Sequence, residues 1–483
     1  MALAFSITPN VNCWRVAEAE RAALIVDAAD YFRLARSAML EARSQIMLIG
    51  WDFDTRVVLD PDCRDDAPSH LGGLLSWLAD QRPQLEIRIL NWNFGAIKLL
   101  GRGSTVFRLG RWMAHPRITF RLDDAHPLGA CHHHKVVVID DRLAFCGGID
   151  MTAARWDTRE HRDGDGRRRR PTTGRRYGPW HDASMALSGA AARAMGDYAR
   201  ERWRIAGGGA VGEAAQGSDP WPSELEPDFR DFPVAIARTV AAYDGRSSIR
   251  EIEQLYLDMI AGTRHCFYAE NQYFASRAIA AAIAKRLGEP DGPEFVLIQP
   301  CSAEGFLEAQ VMDNARARLI NLLRRADRYG RFRIYTPVTS HGEDIYVHSK
   351  LTIVDDMMIR VGSANMNNRS MGFDSECDVM IDARLSDSKV RNRIAGIRTD
   401  LLAEHLGADM STVESALHEH GSLLAAIEHL RGAGRTLRPL KVEPPASVQE
   451  AVADSELLDP EGAEEPFEPL ARPGLLAGLR HNA

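Results

Sequence analysis

Two short apolar runs in the chain have no polar face. Residues 136–139 read VVVI and residues 351–354 read LTIV, rich in β-branched side chains and largely apolar at both alternating positions. A strand with one face in water alternates apolar and polar residues, so a run without alternation predicts a strand buried on both sides. Each run ends in paired aspartates, Asp140-Asp141 and Asp355-Asp356, which read as turn residues before a second apolar run that leads to glycine. Further upstream, SAMLEARSQIMLIGWDFDTR (37–56) matches LDMIAGTRHCFYAENQYFAS (257–276). Both read as the end of an amphipathic helix running into a buried strand. Helix, buried strand and apolar hairpin therefore occur twice in the same order. That predicts an α/β fold of two similar halves made by internal duplication, each a mixed β-sheet flanked by helices.

A length of 483 residues also exceeds one ordinary core. Residues 206–231, rich in Gly, Pro and acidic side chains, read as the linker between the halves. The expected units are 1–215, 216–435 and a tail of 436–483, acidic and proline-containing, extended or partly disordered. The net charge of −8 supplies no global basic field, so no nucleic-acid partner is expected. Seven scattered cysteines without a C-x-x-C pair argue against a zinc ribbon or a disulfide framework and fit a reducing compartment. The first residues lack the pattern of a secretory signal, and no apolar run reaches bilayer length. A cytoplasmic monomer is expected, with peripheral contact to a membrane surface.

The chemistry sits next to the two buried runs. The first is preceded by CHHHK (131–135) and the second by HSK (348–350). Aligned on the lysines, His133 matches His348, Lys135 matches Lys350 and Asp140 matches Asp355, so His-x-Lys-x4-Asp occurs twice. Seven residues after each aspartate stand GGID (147–150) and GSAN (362–365). Lysine occurs only six times among 59 basic residues, and two of the six lie in this repeat. The spacing selects His133 over His132 and His134, whose side chains are expected to leave the catalytic face.

Alternation along a strand puts each histidine and its lysine on one face. Two such pairs brought together at the interface of the halves would enclose a phosphate. Lys135 and Lys350 would neutralise its oxygens, with Gly148, Ser363 and Asn365 as further contacts. One imidazole could attack phosphorus while the other manages protons. No metal or other cofactor is required. A catalytic histidine needs a carboxylate to fix its tautomer. Asp182 and Glu376, each directly before a strand-like run, are taken as those carboxylates. Asp140 and Asp355 are counted with the catalytic set, the alternative being a structural role at the hairpin turn.

The doubled motif resembles the phospholipase D superfamily. GGIDMTAARWDTREHR, PWHD, PVAIARTV and ENQYF are similar to segments of true phospholipases D of bacterial type, over roughly residues 20 to 410. The resemblance implies that His133 is the nucleophile and His348 the general acid and base. It implies hydrolysis of the distal phosphodiester of glycerophospholipids to phosphatidic acid and a free headgroup alcohol, through a phosphohistidine, with transfer to alcohols as a side reaction. A cardiolipin synthase-type phosphatidyltransferase, a nuclease-type phosphodiesterase and a non-catalytic membrane-binding scaffold are the alternatives. The first half carries an insertion of 21 residues that contains HRDGDGRRRRPTTGRR (161–176). It reads either as a solvated loop or as a contact to anionic headgroups. Trp156 and Trp180 flank it, candidates for the site mouth, a bilayer anchor or the core.

Overall fold

The computed structural model describes residues 5–93, 110–112, 114–215, 217–304, 306–385, 388–441, 459 and 460. Both predicted helix-to-strand passages are present. Helix Ala28–Glu41 leads into strand Gln45–Gly50, and helix Glu251–Gly262 into strand Cys266–Asn271. Both strands are buried at every position, including the polar Gln45, Glu270 and Asn271.

The order of strands repeats. From its outer edge the first half runs Ile118–Asp123, Glu86–Trp92, Gln45–Gly50, Val136–Ile139, Leu143–Gly147, Ala183–Ser188 and Arg15–Val26. The second half runs Phe332–Val338, Glu294–Ile298, Cys266–Asn271, Lys350–Val354, Met358–Gly362, Glu376–Asp382 and Phe229–Val240. In each, the outer three strands are parallel and the inner ones antiparallel. The long strands Arg15–Val26 and Phe229–Val240 pair antiparallel, which joins the two mixed sheets into one, of 16 strands among the described residues.

The motif strand divides its side chains between two cores. Val136 and Val138 enter a core shared by both halves, which also holds Leu351, Ile353 and Val361. Val137 and Ile139 face a core built from the first half, where Tyr31, Phe32, Ala35 and Met39 of helix Ala28–Glu41 cover the sheet. In the second half Val354 faces a third core with Leu255, Tyr256 and Met259. Layers of helix, sheet and shared core thus put the inner faces of the two halves against each other.

The region read as a linker is not a free tether. Residues 207–228, where described, form no helix or strand but pack on the first half: Trp221 is buried and the Ala214 amide donates to Asp141. Its last residues already belong to strand Phe229–Val240. The tail reading needs one correction as well. Thr436–Pro439 adds an edge strand to Phe332–Val338, because the unpaired edge there offers a ladder to fill. Asp459, further along, accepts the amides of Asn368 and Arg369. Residues 442–458 and 461–483 of the expected tail lie outside the described residues. Among the described residues no helix is long and apolar enough to cross a membrane.

Candidate active site

The two histidines stand just outside the strands that were expected to carry them. His133 lies in the stretch leading into Val136–Ile139, and His348 between Tyr346–Val347 and Lys350–Val354. Each approach segment is held by the other half. The amides of His133 and His134 both donate to the Ser375 carbonyl at 3.0 Å. The amide of His348 donates to the His181 carbonyl at 2.7 Å, beside the short parallel pairing of Trp180–His181 with Tyr346–Val347. Each lysine then folds back along its own motif. Lys135 Nζ donates to the His133 carbonyl at 2.6 Å, and Lys350 Nζ to the His348 carbonyl. Lys135 also pairs with Asp150 at 3.2 Å, and Lys350 donates to Gln272 Oε1 at 3.1 Å.

The orienting carboxylates cross between the halves. His133 Nδ1 lies 2.9 and 3.1 Å from the two oxygens of Glu376, and His348 Nδ1 lies 2.7 Å from Asp182 Oδ2. Glu376 is fixed in turn by the hydroxyls of Ser363 and Ser370. Asp182 accepts the Ala183 amide at 2.8 Å. With Nδ1 held by an anion, each ring carries its proton there and presents Nε2 to the cavity.

Four of the predicted site residues do other work. The Gly148 amide donates to the Ala183 carbonyl, so it is not free for a phosphate. A Cβ at Gly148 would lie 2.1 Å from Asp182 Oδ1, so the glycine makes room for that carboxylate. Ser363 spends its hydroxyl on Glu376 and its amide on the Cys377 carbonyl. Asp140 and Asp355 sit at the far ends of their strands. Asp140 accepts the amides of Arg43, Ser44 and Gln45, and Asp355 those of Arg264, His265 and Cys266. This corrects their catalytic assignment in favour of the turn. Both residues of each aspartate pair have φ between 50° and 56°, the left-handed conformation that the central pair of a type I′ turn demands, and each turn is closed by an amide three residues on, Arg142 to the Ile139 carbonyl and Met357 to that of Val354.

His132 and His134 turn away, as the spacing implied. His132 bonds Asp123 at 2.7 Å, and His134 lies 3.1 Å from the Tyr198 hydroxyl. Gln272, Asp150 and Ser370 hold the lysines and Glu376 without having been selected from the sequence. Gln272 lay in plain view within ENQYF, but nothing in the order of residues says that it reaches a lysine 78 positions away. Trp180 is buried, stacks on Tyr346 at 4.5 Å and lies 5.1 Å from His348, so it packs against that histidine. Within the arginine-rich insertion Arg168 is fully buried on Asp157, while Arg169 and Arg170 are exposed.

The two motif histidines border a cavity of about 400 Å³, lined also by Asp150, Arg155, Gln272 and Asn365, with Trp51 and Trp92 stacked at one wall. Asn365 Oδ1 makes no hydrogen bond within the protein. Burial pushes both histidines, Lys350 and the two orienting carboxylates toward their neutral forms. It lowers His133 well below the usual imidazole value, helped by the charges of Lys135 and Lys350. His348 is lowered in the same way by burial, Lys350, Arg155 and Lys135. Burial brings Lys350 down to about 7, and lifts Glu376 to about 7 and Asp182 to about 6. An arriving anion would offset the two lysine charges and return proton affinity to the imidazoles.

A sequence profile of the family described as Phospholipase D matches residues 333–426, a span that includes His348 and Glu376. Phospholipase D A of Dictyostelium discoideum is 25% identical over 467 residues, covering 80% of this chain and 35% of that protein. Phospholipase D alpha 4 of Arabidopsis thaliana is 22% identical over 497 residues, covering 80% and 64%. The chain therefore spans between about a third and two thirds of these relatives' lengths. Among solved structures, phosphatidylserine synthase of Haemophilus influenzae Rd KW20 superposes with a TM-score of 0.53 at 12% identity, over 86% of this chain and 96% of that one, and so shares the fold. The profile and these relatives are all phospholipases D, and that is what this chain resembles in sequence.

Proposed function

We propose that the chain is a phosphodiesterase of the phospholipase D type, of the bacterial branch, that works through a phosphohistidine on His133. The observation that carries this is the crossed pairing: two imidazoles from different halves, each held at Nδ1 by the other half's carboxylate, with a lysine beside each. His133 Nε2 attacks phosphorus, the bond to the departing alkoxide breaks, and His348 donates the proton that the alkoxide takes. Water or an alcohol then gives its proton to His348 and attacks the same phosphorus, breaking the phosphorus–nitrogen bond. Lys135, Lys350 and Asn365 stabilise the phosphoryl oxygens throughout. The substrate is a glycerophospholipid presented at a membrane surface, cleaved at its distal ester to phosphatidic acid, by a monomer in the cytoplasm.

Because the leaving alcohol departs before the acceptor arrives, any small alcohol should compete for the intermediate. With phosphatidylcholine vesicles and added butanol, phosphatidylbutanol should form at the expense of phosphatidic acid. A chiral-phosphorus substrate should keep its configuration, since two in-line displacements each invert it. Net inversion with no alcohol adduct would overturn the covalent route. Cleavage of a soluble diester without action on vesicles would instead overturn the lipid substrate.

A further inference from the structure

Directly behind His348 lies a second cluster of titratable groups that the proposed reaction does not use. Asp27, His161, His181 and Glu404 come together from four separate places in the chain, and their side chains are at most 2% exposed. His161 Nε2 lies 3.4 Å from Asp27 Oδ2 and 3.1 Å from Glu404 Oε1. His181 Nδ1 lies 3.1 Å from Asp27 Oδ1 and 3.0 Å from Glu404 Oε1. A tetrahedral ion with bonds of about 2.0–2.1 Å needs ligand atoms about 3.3 Å apart. The four histidine–carboxylate contacts, at 3.0–3.4 Å, already stand near that separation, and all four ligand atoms lie within 4.8 Å of one another.

Three further observations point to a ligand. Asp27 Oδ2 is buried without a hydrogen bond, and His181 Nδ1 faces two carboxylate oxygens at 3.0 and 3.1 Å without a well-aligned one. Each imidazole is also held from behind. His161 Nδ1 bonds Asp157 at 2.9 Å, and that carboxylate is braced by Arg168 and the Trp180 amide. His181 Nε2 bonds Glu270 at 2.8 Å, which also accepts from Tyr268 and His405. A carboxylate behind the histidine is the arrangement that fixes a metal-binding ring and leaves its other nitrogen basic. The backbone yields to the cluster as well. Asp27 stands at the N-cap of helix Ala28–Glu41, where an aspartate normally accepts an amide of the first turn. Its side chain makes no such bond, and its φ is 66°, a conformation costly for a non-glycine residue.

We propose that Asp27, His161, His181 and Glu404 form a buried tetrahedral site for a divalent cation of the zinc class, which ties the first half to helix Ser388–Leu406 of the second. The ion is structural. All four positions are taken by protein, so none is open for substrate. Its effect on catalysis is positional: His181 precedes Asp182, the partner of His348, and its carbonyl holds the His348 amide. Two protons could balance the same two carboxylates, since these charges raise His161 to about 9 against the opposing effect of burial. The experiment must separate protons from metal.

The full chain should be expressed with zinc in the medium, incubated with zinc, desalted and assayed for metal by mass spectrometry. About one zinc per chain is expected, together with a zinc-dependent rise in Tm. A cobalt-loaded sample should show the strong visible absorption of a tetrahedral ion. Glu404→Gln, nearly equal in shape, should fall below about a fifth of an equivalent and lose the Tm response. His133→Ala should keep both. Folded wild type that retains under a fifth of an equivalent would overturn the site in favour of the protonated cluster. Equal retention by Glu404→Gln would place the ion elsewhere and overturn it too.

Discussion

At the scale of single residues, the three adjacent histidines separate into three fates by what each ring meets. His133→Ala and His348→Ala should each lower kcat by at least about 10³-fold, because nucleophile and acid act as a unit. His132→Ala should keep most of the turnover and lose stability instead. It leaves Asp123 buried with Arg202 as its remaining charged partner, at a cost of about 1–3 kcal/mol by urea denaturation. Turnover of His132→Ala as low as that of His133→Ala would show the register to be wrong. Lys350 makes a prediction in pH. Burial holds it near 7, so in the free site it is charged below that pH and neutral above. A phosphodiester anion needs the charge, hence kcat/KM on a soluble diester should fall up to tenfold per unit above about pH 7. The turnover number should hold to higher pH, because the bound anion retains the proton. A kcat/KM flat from pH 7 to 9 would remove Lys350 from phosphate binding. The sign for folding follows the same burial. Lys350's contribution to stability is complete above the ordinary lysine value and is lost as pH falls through about 7.

At the scale of elements, the motif aspartates belong to the hairpin and the passage from helix to strand. Asp140 gathers three consecutive amides at the start of strand Gln45–Gly50, and Asp355 does the same at Cys266–Asn271. Their neighbours repeat too: Asp141 pairs with Arg200 and Asp356 with Arg398, each arginine on a helix that covers the shared core. Asp140→Ala should therefore destabilise by at least about 2 kcal/mol, since three amides lose a charged acceptor at once. The folded fraction should keep kcat within about tenfold. A stable variant with kcat down a thousandfold would return Asp140 to the catalytic machinery. The sequence placed the aspartates in the motif but not their partners. A carboxylate that caps amides nearly 100 residues away leaves no local periodicity to read.

At the scale of the whole molecule, the catalytic constellation exists only between the halves. Each motif supplies a histidine and a lysine, and each histidine takes its carboxylate and its backbone anchor from the opposite half. One continuous sheet through Arg15–Val26 and Phe229–Val240 fixes the two halves in the relation that this crossing requires. The proposed metal site lies across the same seam, with three ligands from the first half and Glu404 from the second.

The order of residues by itself determined the repeat, the buried strands and the selection of His133, Lys135, His348 and Lys350. Those follow from local rules, the two-residue period of a strand and the spacing within one motif. It also determined that Asp182 and Glu376 were candidate carboxylates, through the alignment of one half on the other. Which histidine each would hold was decided only by the packing of the halves, because His133 and Glu376 are separated by 243 residues and nothing local couples them. The same holds for Gly148 and Ser363, which read as phosphate contacts until the strands beside them claimed their amides. The cluster of Asp27, His161, His181 and Glu404 follows no ligand spacing at all. It is assembled by an N-cap, an insertion, a strand and a distant helix, and only the buried seam between the halves brings those four into reach of one ion.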